Sequence, residues 1–141
     1  MKKIILPIAL LALMACGNGE HNEANTQNAS TEQTAQATVK NVDAKEFKSL
    51  VEKGDGIVLD VRTPQETAQG VIPNAVTIDF YSPDFKEQVA NLDKSKPVYV
   101  YCKSGGRSSN AAQILKDLGF KEIYNLNGGI TAWQANGFET K

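Results

Sequence analysis

The sequence predicts an α/β fold, with a central, mainly parallel sheet flanked by helices on both faces, and three observations carry the prediction. Beyond residue 38, short β-branched and aromatic runs alternate with amphipathic stretches, and such alternation builds parallel sheets through right-handed crossovers. The runs "GIVLDV" and "VYVY" read as strands buried in the sheet. Cap residues and glycine stops punctuate the stretches between them, as helix boundaries require. At 141 residues the chain is long enough for one domain with a core and too short for two.

The first segment, "MKKIILPIALLALMAC", has a basic head at Lys2 and Lys3, an apolar run from Ile4 to Met14 and a small residue before Cys16. This predicts a signal peptide over residues 1–15. The run falls short of the ~20 residues of a membrane span. "LMAC" resembles the bacterial lipobox, which implies cleavage before Cys16 and lipid attachment to it; more than one acyl chain makes such anchoring stable. The expected location is the bacterial cell envelope, periplasmic or outer surface. The stretch "GNGEHNEANTQNASTEQTAQAT" contains no large apolar, aromatic or basic residue. It cannot bury enough surface to offset the entropy of ordering, so residues 16–38 are expected to be a lipidated, disordered tether. His21, the only histidine, lies there and is expected to be solvated.

The domain is expected over residues 39–141. In "VDAKEFKSLVEKG", Asp43 and Glu46 form a capping box, Phe47, Leu50 and Val51 make an apolar stripe, and Gly54 ends the helix. "GIVLDV" follows as a strand. Thr63, Pro64 and Glu66 supply the cap, the N1 proline and the N3 glutamate of a short helix. A strand near "AVTID" precedes a helix expected to start at Ser82-Pro83 and to carry Phe85, Val89 and Leu92 inward. "VYVY" is the next strand. A helix over "SSNAAQILKDLGF" should turn Ala111, Ile114, Leu115 and Leu118 inward and stop at Gly119. A strand at "EIYNL" and a short helix around Trp133 close the chain.

The 15 basic and 16 acidic residues nearly cancel, and 13 of each lie beyond residue 38. Without a basic patch or stripe, nucleic acid is not an expected partner. Chemistry concentrates instead in "YCKSGGRSS", between a strand and a helix, where ligands of such sheets bind. Gly105 and Gly106 allow backbone N–H groups to turn toward an anion. The helix N-terminus, Lys103 and Arg107 add positive potential, and all favour a Cys102 thiolate. A buried structural cysteine would need none of these neighbours.

A cysteine protease would need a histidine base, a dithiol oxidoreductase a second cysteine, and a zinc site more ligands. The domain has none of these, so no metal or cofactor is expected. Phosphate-ester cleavage and sulfane-sulfur transfer remain, since both use an amide loop closed by arginine.

At this point the chain from Val39 onward resembles the rhodanese-like domains. "VLDVRTPQETAQGVIPNA" is similar to the first signature of that family, "YCKSGGRS" to its active-site loop, and "LGFKEIYNLNGGITAW" to its terminal segment. The resemblance implies a rhodanese-like sulfurtransferase in which Cys102 accepts sulfur. It assigns the binding loop to Lys103, Ser104, Gly105, Gly106, Arg107 and Ser108. Cysteine-dependent phosphatases resemble C-x5-R, whereas four residues separate Cys102 from Arg107 here; the smaller loop favours sulfur transfer. Asp60 and Arg62 match the family's D-x-R and are expected to support the active face as a pair or through loop amides. Gly128, Gly129 and Trp133 match as turn and packing residues. Val71, Thr67 and Asn74 stand where family members often have histidine, an aromatic and glycine. The expected partners are a thiosulfate-like donor and a thiol or cyanide acceptor, served by a monomer. The competing readings are a tethered binding module without turnover and a thiol-redox accessory protein.

Overall fold

A computed structural model describes residues 36–141; the expected signal peptide, Cys16 and most of the expected tether lie outside the described residues. Ten elements follow in order: β1 Thr38–Val42, α1 Ala44–Lys53, β2 Ile57–Asp60, α2 Pro64–Thr67, β3 Val76–Thr77, α3 Phe85–Ala90, β4 Val98–Tyr101, α4 Gly106–Asp117, β5 Glu122–Leu126 and α5 Gly129–Ala135. The five strands form one sheet in the order β1-β5-β4-β2-β3, and every neighbouring pair is parallel.

Strand β4 runs between β5 and β2, and all four of its residues are buried. Its alternation feeds two cores. Val98, Val100 and, just beyond the strand, Cys102 join Phe85 and Val89 of α3 and Ala111, Ala112 and Leu115 of α4. Tyr99 and Tyr101 join Ala44 and Phe47 of α1 and Ile130 and Trp133 of α5 on the other face. Phe47 meets Tyr99, Tyr101 and Trp133 edge-on, with ring centroids 6.2 to 6.3 Å apart. Such edge contacts suit the ring quadrupoles and add about 0.5 to 1.5 kcal/mol each beyond area burial.

The caps follow the residue types. Asp43 accepts from the N–H groups of Lys45 and Glu46 at 3.0 and 2.9 Å, and Gly54 ends α1 at φ 71°. The structure departs from the sequence reading at β1 and at the start of α3. β1 was not anticipated as a strand; it begins at Thr38 and pairs along β5, so its order comes from a partner 84 positions on. Helix α3 starts at Phe85 rather than at Ser82-Pro83, because the chain first makes a turn in which Phe85 N–H donates to Ser82 C=O at 3.1 Å. In α4, Ala111 and Leu115 are buried and Ile114 and Leu118 pack partly buried against the same core, as the pattern predicts, and Ala112 is buried with them.

Candidate active site

Cys102 follows the last residue of β4 and is 1% exposed. The first turn of α5 holds its backbone: Ile130 N–H donates to Cys102 C=O at 2.8 Å, and Thr131 donates to Lys103 C=O from both N–H (3.2 Å) and Oγ1 (2.9 Å). This close approach requires Gly129. A Cβ there would sit 2.4 Å from the Cys102 carbonyl oxygen and 2.5 Å from Lys103 C, and its φ is 58°. Sequence alone gives Gly129 as a turn residue; the structure adds that it seats the cysteine loop.

The loop then bends over the sulfur. Gly105, at φ 104°, caps α4 and donates its N–H to Cys102 Sγ at 3.1 Å. Ser108, fully buried on the first turn of α4, places Oγ 3.4 Å from Sγ and 3.1 Å from Gly105 C=O. Burial pushes the Cys102 thiol up, but the hydroxyl and N–H of Ser108 and the N–H groups of Gly105 and Ser104 outweigh it, so the thiol titrates below its ordinary value. Of the expected sources of thiolate character, the loop N–H groups are borne out and are joined by the Ser108 hydroxyl as the leading favourable causes, ahead of the cations Lys103 and Arg107.

The reason is where Arg107 goes. Its Nη1 and Nη2 donate to Glu66 Oε2 and Oε1, each at 2.7 Å, and its guanidinium lies 5.6 Å from the Tyr81 ring centroid. Glu66 Oε2 also accepts from Thr63 N–H and Oγ1, both at 3.0 Å. The Arg107 hydrogen bonds, opposed by burial and helped by Thr63, bring the Glu66 carboxyl down to about 2. Arg107 is correspondingly raised, first by the Glu66 bond. Sequence reasoning found Glu66 only as a capping residue. Its second partner is 41 positions away, and no local signal marks it.

Asp60 and Arg62 come together as expected, below the surface. Arg62 Nη2 meets Asp60 Oδ2 at 2.6 Å and Nε meets both carboxylate oxygens at 3.0 Å. Its remaining donors reach the carbonyls of Glu66 (3.1 Å) and Gly70 (2.7 Å), so the pair braces α2 rather than the cysteine loop itself. Burial pulls the guanidinium down, but the Asp60 bond and charge hold it above its ordinary value.

Beside the loop, a polar cleft of about 160 Å³ is lined by Glu66, Gln69, Lys103, Thr131 and Gln134 among others. A larger cavity of about 480 Å³ between α1 and the C-terminal segment contains no residue of the cysteine loop, so size does not mark the site. Among the unusual positions of the first signature, Asn74 holds φ 66°, a conformation asparagine tolerates better than most residues. Val71 pairs its backbone with Lys141 at 2.7 and 2.8 Å.

A single cysteine with a lowered pKa, in an amide loop after a central parallel strand, suits covalent transfer of a small anionic group, and the chain is similar to known proteins. The model of the rhodanese-like domain matches residues 43–136. A thiosulfate sulfurtransferase GlpE of Coxiella burnetii is 37% identical over 97 residues, covering 69% of this chain and 89% of that protein. A tRNA uridine(34) hydroxylase of Cytophaga hutchinsonii is 41% identical over 96 residues, but this covers only 31% of its length. The crystal structure of a rhodanese-like domain protein from Staphylococcus aureus superposes with a TM-score of 0.61 at 33% identity, over 72% of this chain and 98% of that one. Matched from α1 to α5 and sharing fold and sequence with sulfurtransferases, the chain belongs to the rhodanese-like domain family.

Proposed function

We propose that the domain transfers sulfane sulfur through a persulfide on Cys102, taking it from a donor such as thiosulfate and passing it to a thiol or to cyanide. The observation that carries this reading is the convergence of Gly105 N–H (3.1 Å) and Ser108 Oγ (3.4 Å) on a buried, low-pKa sulfur. In the first step the Cys102 thiolate attacks the outer sulfur of the donor. A bond forms between Sγ and that sulfur, the donor S–S bond breaks, and its electron pair leaves with sulfite. The loop donors that hold the thiolate also face the charge on the terminal sulfur of the persulfide. In the second step an external nucleophile takes that sulfur and returns Cys102 to the thiolate. With no second cysteine in the domain, discharge comes from outside.

The positive N-terminus and "LMAC" support a further part of the proposal: the domain is exported and held at the cell envelope by acyl chains on Cys16. The phosphatase alternative is disfavoured by the four-residue spacing between Cys102 and Arg107.

Incubation of the domain with thiosulfate should add about 32 Da at Cys102, and cyanide should remove it with release of thiocyanate. Cys102→Ser should take up no sulfur, because a serine hydroxyl here has no neighbouring base to activate it. Turnover that persists in Cys102→Ser would overturn the mechanism. A wild-type protein that never gains the mass would instead favour a binding module.

A further inference from the structure

We propose that Glu66 sets the net charge a sulfur donor meets at the loop, making it a specificity-determining residue for donor charge. The inference rests on the sulfur-transfer reading above. By residue type the loop carries two cations, Lys103 and Arg107. The bidentate contact at 2.7 Å on both arms cancels one of them, and with Thr63 fixing the same carboxylate at 3.0 Å, Glu66 is held in place. Tyr81, 68% exposed, covers a face of the guanidinium, so both Glu66 and Tyr81 restrict how Arg107 can turn toward a ligand. Glu66 and Lys103 both line the polar cleft beside the loop, and Lys103 takes part in no ion pair among the described residues. The mouth therefore offers one uncompensated cation rather than two.

A second negative charge on the donor gains little from such a mouth. Thiosulfate, a dianion, and methanethiosulfonate, a monoanion, both deliver their outer sulfur to Cys102; the leaving groups are sulfite and methanesulfinate. In a two-step transfer, kcat/KM for the donor reports the first step alone, so the ratio of the two values isolates the response to donor charge. Glu66 is a positioning residue in this scheme, acting through Arg107 and the local potential rather than by touching the reacting sulfur.

The test is that ratio, thiosulfate over methanethiosulfonate, in four proteins. Glu66→Gln keeps the shape and removes the charge; it should raise the ratio about three- to tenfold, as expected for one added charge acting over several ångströms near a surface. The rise should shrink at high salt, where exposed charges are screened. Arg107→Gln should lower the ratio below wild type, and this arm stands even if Glu66→Gln fails to fold. The double variant, Glu66→Gln with Arg107→Gln, again carries no net charge and should return to within about twofold of wild type, well inside the arithmetic for a single charge. An unchanged ratio in folded Glu66→Gln overturns the proposal. So does a double variant as low as Arg107→Gln, which would mean that Arg107 contacts the donor directly. A wild-type protein that accepts sulfur from neither donor sinks the sulfur-transfer reading itself, whereas wild-type turnover with an immovable ratio sinks only the role of Glu66.

Discussion

Two arginine–carboxylate pairs meet at α2, and the contrast between them separates frame from mouth. Asp60 and Arg62 are 0% and 5% exposed and sit at the carboxyl end of β2. Glu66 and Arg107 are 24% and 17% exposed and tie the same short helix to the first turn of α4. Both are bidentate, so geometry does not distinguish them. Desolvation does. Charges taken fully out of water make a pair costly to break, whereas a pair at the rim is screened and contributes about 0 to 1 kcal/mol. The inner pair should govern whether the domain folds, and the outer pair how the loop treats anions.

The sharpest way to break this contrast is Arg62→Ala. It leaves Asp60 buried without its main partner and frees two carbonyls of the α2 segment, so folding stability should fall by about 3 to 5 kcal/mol. Denaturant unfolding measures it. A loss under about 1 kcal/mol would mean that water or another group replaces the guanidinium, and the two pairs would then be alike.

Arg107→Ala should reverse the pattern. Stability should change by no more than about 1 kcal/mol, because the pair is partly exposed. The uncompensated Glu66 carboxylate would face an anionic donor, and at about 1.4 kcal/mol this predicts a fall of about tenfold in kcat/KM for thiosulfate. Arg107→Lys should recover part of it, since a point charge cannot engage both carboxylate oxygens as the planar fork does. Full thiosulfate turnover in Arg107→Ala would show that the loop amides suffice.

Legibility in the sequence follows the same division. The cysteine loop was readable because its parts are adjacent: the strand "VYVY", the glycines and the helix start all act within a few residues of Cys102. Asp60 and Arg62 are marked by the D-x-R resemblance, as a pair or through loop amides, and the structure shows the pair. What was not readable depends on distant partners. Glu66 looked complete as an N3 capping residue, since one carboxylate oxygen is used locally at Thr63; the capture of Arg107 by the same group is a tertiary event. Gly129 read as a turn residue because nothing in its neighbourhood reveals that Cys102 and Lys103 pass within 2.5 Å of its missing Cβ. β1, rich in polar residues, forms because β5 offers an edge, and no periodicity in "TVKNV" announces that.

The finest comparison lies inside the mouth, between the charge of Arg107 and the hydroxyl of Ser108. Ser108 Oγ has one proton and two acceptors, Cys102 Sγ at 3.4 Å and Gly105 C=O at 3.1 Å. When the sulfur is a thiolate, the proton favours it, because a hydrogen bond to a charged group is the stronger of the two. Ser108→Ala therefore removes a donor from the ionised form and should raise the Cys102 pKa. The N–H groups of Ser108, Gly105 and Ser104 remain, so only part of the lowering is lost, and a net hydrogen bond of about 1 kcal/mol corresponds to under about one pKa unit. The sign is fixed: the reactive thiolate forms at higher pH, so the acid limb of kcat/KM for thiosulfate should move upward while the alkaline plateau stays within a few-fold of wild type. Spectroscopic titration of the thiolate should move with it. An acid limb that does not move would assign the lowered pKa to the backbone amides alone and leave Ser108 as a packing residue of α4.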